Sequence, residues 1–222
     1  MAAKDDSAGI RIFSIPELRE ELLVPIPANG TRDPWKFGFS PGGRYLTSTT
    51  YGRSDFCHLE VRDLETGGLV GRTKLQPDPR SADHSPIDGF LIQSQVFSPD
   101  GRELAILFEK GTVLGVVVVD CTTGRISTNF QVDQPRSQAR ADFRKRGPLL
   151  EWFPDGQRWL YRRAHVLDRA SGSFTTTLPV DTRDSVPQQR CVVDDQTVLL
   201  PVVEGESVTL RRHALPLAGR QP

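Results

Sequence analysis

Cysteine is scarce in this chain of 222 residues, with three in all, and methionine occurs once. Cys57, Cys121 and Cys191 stand in unrelated local settings with no C-x-x-C spacing, which argues against a disulfide framework or a thiolate metal site. Free thiols in a reducing compartment are expected instead. Neither sign of charge is in excess: 28 Lys and Arg balance 28 Asp and Glu. Bulk electrostatics therefore give no attraction to nucleic acid or to a membrane, and any such contact needs a local patch. Long apolar runs are missing too. The longest, TVLGVVVV at 112–119, is far short of the roughly 20 residues needed to cross a bilayer as a helix. The opening MAAKDDSAGI has no apolar stretch of the kind that drives secretion, so a cytoplasmic location is expected.

Motifs that carry chemistry are also wanting. The four histidines, His58, His84, His165 and His213, form no H-x-H, H-E-x-x-H or Cys–His cluster. Cys57 and His58 are adjacent, but neighbours on a strand point to opposite faces. No G-x-S-x-G elbow, Cys–His pairing motif or glycine-rich phosphate loop occurs. Neither a cofactor nor catalysis is expected. Asn29-Gly30-Thr31 fits a glycosylation acceptor formally, yet Asn-Gly is also a turn dipeptide and is taken as one here.

What the chain does have is repetition. FSPGGRYL at 39–46, FSPDGREL at 97–104 and WFPDGQRWL at 152–160 are three versions of one phrase. A second phrase follows each: VRDLETG at 61–67, VVDCTTG at 118–124 and VLDRASG at 166–172. Gly43 to Gly101 is 58 residues and Gly101 to Gly156 is 55, while Asp63 to Asp120 is 57 and Asp120 to Asp168 is 48. Two motifs in fixed order at similar periods define an internal repeat. Within one unit, QSQVF, RELAILFE, VLGVVVVD and RISTNFQV read as four short strands joined by tight turns, an antiparallel meander. Pro99 presets φ, Asp100 can bond nearby amides, and Gly101 takes the positive-φ position. Asp120, Thr123 and Gly124 serve the second turn in the same way. Gly43, Asp63, Gly67, Asp155, Gly156, Asp168 and Gly172 hold the matching places in the sister units. A residue written once per unit points to architecture, since a catalytic site needs a single copy. Helical periodicity is confined to PELREELL at 16–23, and in frame that stretch falls on a strand.

FSPDGRELA, VVDCTTGRIS and their sister copies resemble the WD-repeat family of β-propellers, and in particular bacterial relatives with Ser-Pro-Asp-Gly turns. The resemblance covers roughly residues 10–219. The Trp-Asp dipeptide itself is replaced by Arg62-Asp63, Val119-Asp120 and Leu167-Asp168, and the Gly-His that often opens a repeat is absent. The likeness implies an all-β fold, a propeller or open propeller arc of about four four-stranded antiparallel blades. In frame, residues 1–9 are a disordered N-terminus, 10–28 a partial blade, 35–78, 93–133 and 148–181 full blades, and 188–219 a further partial blade. The N-terminal strands can complete the last blade and close a ring; otherwise the arc is open and invites self-association or a partner over its exposed edge.

Trp152 and Trp159 replace Phe97 and Leu104 in frame and are expected in the core between blades, with Trp35 partly exposed. One local feature departs from the even charge. RSQARADFRKR at 136–146 holds Arg136, Arg140, Arg144, Lys145 and Arg146 against Asp142 alone, with Phe143 as an anchor. It joins one blade to the next, while Arg162-Arg163 sits at the following unit's second-to-third strand turn. The resemblance places those two loop types on one face, the face such propellers commonly use for binding. The expectation is a non-catalytic module that binds or scaffolds another protein. The alternatives are a propeller enzyme or enzyme subunit with a site at the channel mouth, or a binder of an anionic partner or nucleic acid through the basic loop 136–146. Nucleic acid and membrane are not expected partners.

Overall fold

A computed structural model describes residues 2–5, 9–13, 19–25, 36–51, 57–75, 91–110, 112–134, 149–162, 165–178, 191–194, 197–204 and 207–215. These form eighteen strands in five antiparallel sheets, with one short 3-10 turn at Pro41–Gly43. Three sheets have four strands in sequence order: β4–β7 (Lys36–Phe39, Tyr45–Tyr51, Cys57–Asp63, Leu69–Leu75), β8–β11 (Leu91–Phe97, Glu103–Lys110, Val113–Asp120, Arg125–Asp133) and β12–β15 (Leu150–Trp152, Arg158–Tyr161, His165–Asp168, Ser173–Thr177). They are called the first, second and third blades. Three-stranded sheets flank them, β1–β3 (Ala2–Asp5, Gly9–Phe13, Glu20–Pro25) at the N-terminal side and β16–β18 (Cys191–Asp194, Thr197–Glu204, Ser207–Ala214) at the C-terminal side.

Alternation along the strands explains how the sheets stack. On β9 and β10, Leu104, Ile106, Phe108, Val117 and Val119 pack with Tyr45, Leu59, Val61 and Leu75 of the first blade. The intervening side chains, Ala105, Leu107, Leu114, Val116 and Val118, pack with Leu150, Trp152, Trp159, Tyr161 and Leu167 of the third. The second blade is thus apolar on both faces, which is why VLGVVVVD reads as an unbroken apolar run rather than a half-buried alternation. Ile12 and Val24 join the N-terminal sheet to Leu46, Phe39 and Leu64 of the first blade. Leu215, just past β18, joins Phe153, Leu160, Val166 and Leu178 of the third. Each sheet covers its neighbour, and burial of apolar area drives the assembly.

One expectation is corrected. Ala2–Asp5, expected to be disordered, is a strand paired with Gly9–Phe13. Of the two arrangements left open above, no closure by the N-terminal strands is seen among the described residues: β2 pairs with β1 and β3, β17 with β16 and β18, and no ladder joins the two sheets. The PELREELL stretch is not helical where described, because Glu20–Pro25 is the strand β3.

Candidate functional site

The blades have two ends, and the sequence assigns a different role to each. At one end lie the second-to-third strand turns and the inter-blade loops. The loop of residues 135–148 leaves from Gln134, whose amide donates to the Thr112 carbonyl at 2.7 Å, and returns at Leu149, whose carbonyl accepts from the Arg162 amide at 2.8 Å. Both bases of the basic loop therefore sit beside the turns that follow β9 and β13. Glu109 ties them together. Its Oε1 accepts from Gln134 Nε2 at 2.7 Å and from Arg162 Nη2 at 3.0 Å, across the seam between the second and third blades.

This geometry changes the role of Arg162. Expected on an exposed patch, its side chain is only 9% exposed, ion-paired with Glu109 and 5.2 Å over the Tyr161 ring. Its φ of +46° is the single positive value at a non-glycine among the described residues, a conformation that costs energy and persists only where contacts hold it. Arg162 is a clasp at the base of the loop rather than a member of its outer surface. Arg136, Arg140, Arg144, Lys145, Arg146 and Arg163 lie outside the described residues, as do Phe143 and Trp35.

At the opposite end lie the repeated turns, and here each predicted residue has its predicted part. The Asp100 carboxylate accepts from the Arg102 amide and from Ser98 Oγ. Asp155 accepts from the Gln157 amide and from Arg158. Asp63 accepts from the Glu65 and Thr66 amides, Asp120 from the Thr122 amide and hydroxyl, and Asp168 from the Ser171 amide and hydroxyl. Gly43, Gly67, Gly101, Gly124, Gly156 and Gly172 all have φ between 59° and 75°. The Ser98 hydroxyl and Arg102 amide keep Asp100 below the usual carboxylate range. At Asp63 desolvation is the largest single influence and acts upward, but the bonds from Arg44, Glu65 and Thr66 together outweigh it.

Some of this was not foreseen. Ser40 and Ser98 close their turns by accepting from the amides of Tyr45 and Glu103, each at 2.9 Å, and Phe153 stands in that place in the third blade. There Arg158 lies 4.9 Å over the Phe153 ring and bonds Asp155, replacing the serine's contribution. Arg169 makes a two-pronged ion pair with Glu103 of the second blade, at 2.7 and 2.8 Å, with its guanidinium 5.9 Å over Trp152. The signal was a departure from the repeat, since Leu64 and Cys121 occupy the corresponding place in the other blades. Trp152 and Trp159 are buried at the seam as expected, Trp152 donating to the Val96 carbonyl at 2.9 Å.

His165 and Cys121 are buried packing groups. His165 is 1% exposed and its Nδ1 lies 3.0 Å from Thr177 Oγ1. Burial, helped by the Arg162 charge, lowers its pKa, so it is neutral at pH 7. Burial and nearby acidic groups push the Cys121 thiol up to about 12, far from the reactive range. Among the described residues, no group of three or more His, Cys, Asp or Glu is placed to hold a metal, and no helix is long and apolar enough to cross a membrane.

Between the first and second blades, at the turn end, an open cleft of about 340 Å³ is lined by Ser40, Arg44, Asp63, Asp100, Arg102 and Thr122, among others. Arg44 is bonded to Asp63 at 3.2 and 3.3 Å.

No protein-family model matches the sequence, and no curated protein matches it. Solved structures do share the fold. The β-propeller domain of Cps50 (Swd1) from Myceliophteria thermophila aligns with a TM-score of 0.52 at 14% identity, over 95% of this chain and 65% of that one. Kuenenia stuttgartiensis hydrazine synthase gives 0.54 at 14% identity, over 94% of this chain and 66% of the other. The dihydro-heme d1 dehydrogenase NirN in complex with DHE gives 0.52 at 12% identity, over 97% and 44%. At these identities the likeness carries the fold alone, which is that of a β-propeller. The chain spans between under one half and about two thirds of the length of these three proteins.

Proposed function

We propose that this chain is a WD40-like propeller module that acts by binding another protein in the cytoplasm, without chemistry of its own. One observation supports this most. Gln134 and Leu149, the two bases of the basic loop, sit at the same blade end as the Arg162 turn, cross-linked through Glu109. In the sequence, five cationic side chains at 136–146 fall between those two bases, and Arg163 follows Arg162. A rigid base lowers the ordering cost that a binding loop otherwise incurs on association. Arginine, which makes up most of the cluster, suits bidentate contacts with the carboxylates of an acidic protein surface better than lysine does. The balanced net charge of the whole chain favours a local protein contact over nucleic acid, which would gain from a broad positive field.

The test is a pull-down from source cytoplasm, nuclease-treated, at low and high salt. Wild type is compared with the Arg140→Glu, Arg144→Glu, Arg146→Glu triple variant. The expected result is a partner retained by wild type at low salt, weakened by added salt, and missing from the triple variant while its melting temperature is unchanged. Identical partner sets for both proteins would refute the proposal.

A further inference from the structure

The repeat supplies its own internal control for the turn-end cleft. Arg44 and Arg102 hold the same place after the Ser-Pro-x-Gly turns of the first and second blades, and Asp63 and Asp120 hold the same place at the ends of β6 and β10. In the first blade the arginine pairs with its aspartate. In the second it does not. Asp120 is taken up by the Thr122 amide and hydroxyl, both at 2.7 Å, and among the described residues the Arg102 guanidinium makes no ion pair. Both arginines line the same cleft of about 340 Å³. The cleft's carboxylates are occupied: Asp63 accepts from two amides and Arg44, and Asp100 from the Arg102 amide and the Ser98 hydroxyl. The unmet capacity in the cleft is therefore on the donor side, in a planar guanidinium with five N–H groups.

The walls are fixed. An ideal Cβ on Gly101 would come 3.0 Å from the Pro41 carbonyl oxygen, so the two turns are in contact. Of the three full blades only the second keeps the arginine without the pair, since Gln157 stands in that place in the third.

We propose that this cleft binds an oxyanion, a carboxylate or a phosphate, through Arg102. The site lies at the opposite blade end from the basic loop and does not depend on the loop's role. The same chemistry can come from a free anion or from an acidic peptide, and two probes separate these. Inorganic phosphate and N-acetyl-hexaglutamate are titrated separately into the full chain by calorimetry at fixed chloride. The variants are Arg102→Gln, Arg102→Lys and, as a control at the exposed start of β11 outside the cleft, Arg125→Gln. Wild type and Arg125→Gln should bind at least one probe saturably with the same Kd. Arg102→Gln should weaken it about tenfold or more, the loss expected for a charge-assisted contact. Arg102→Lys, which keeps the charge without the fork, should fall between. Phosphate binding assigns a free oxyanion, and binding of hexaglutamate alone assigns a carboxylate presented by an acidic peptide. No saturable binding of either probe to wild type, or equal affinity for wild type and Arg102→Gln, overturns the proposal.

Discussion

At Gly124 φ is +67°, and an ideal Cβ would stand 2.7 Å from the Cα of Gly71 on the preceding blade. The residue does two jobs, turning the chain after β10 and letting the outer strand of the first blade close against that turn. Gly156 has the same backbone, φ +66°, with nothing within 4 Å of a Cβ. The pair separates turn strain from blade contact. Gly156→Ala should cost about 1–2 kcal/mol from the left-handed conformation alone. Gly124→Ala should cost that plus a further 1–3 kcal/mol, roughly, from the backbone shift it forces. Urea unfolding midpoints report the difference, and equal midpoints would mean the blades do not meet at Gly71.

Titration gives a second residue-scale expectation. Burial, reinforced by nearby cations, lowers the pKa of both His58 and His165. A group whose folded pKa lies below its unfolded value, near 6.5, binds protons more readily when the chain is unfolded. The stability they support is therefore full above about pH 6.5 and declines as the pH falls through that value. Unfolding midpoints between pH 7.5 and 5.5 should fall, and His165→Gln should flatten the slope. An unchanged slope in that variant would contradict the burial assigned to His165.

At the scale of elements, the turns were the most legible part of the sequence. Pro, Asp and Gly act there through local φ and local hydrogen bonds, so their meaning travels with the motif. The strands were legible because apolar runs of strand length fall between those turns. What escaped was set by contacts between units. Arg169 is marked only by its departure from the repeat, and its role depends on Glu103, 66 positions earlier in the chain. Arg162 read as exposed because two arginines in a turn usually are, and only Glu109 on the neighbouring blade draws it inward. The Arg169–Glu103 pair has side chains 18% and 24% exposed, so water screens it in part. A double-mutant cycle with Arg169→Met and Glu103→Gln should give a coupling of about 1–2 kcal/mol, above an exposed pair and below a fully buried one. A coupling near zero would remove this link between the second and third blades.

For the whole molecule, the account rests on sheets stacked in sequence order, each covering the next. The N-terminal sheet covers Leu46 of the first blade through Ile12 and Val24. Removing residues 1–28 should uncover that face and lower stability by several kcal/mol, a large part of the roughly 5–15 kcal/mol typical of a domain, with aggregation as the visible result. A truncated protein that stays monomeric with an unchanged melting temperature would contradict the covering role. Stacking of this kind also predicts a gradient, because the second blade is covered on both faces by full blades while the end sheets are smaller and flank the outer blades. Native-state hydrogen exchange, read residue by residue, tests this most directly. The amides of Leu104–Phe108 and Leu114–Val119 should exchange slowest, those of β5, β6, β13 and β14 faster, and those of β1–β3 and β16–β18 fastest. Uniform protection across all five sheets, or end sheets as slow as the second blade, would contradict a stack open at its ends.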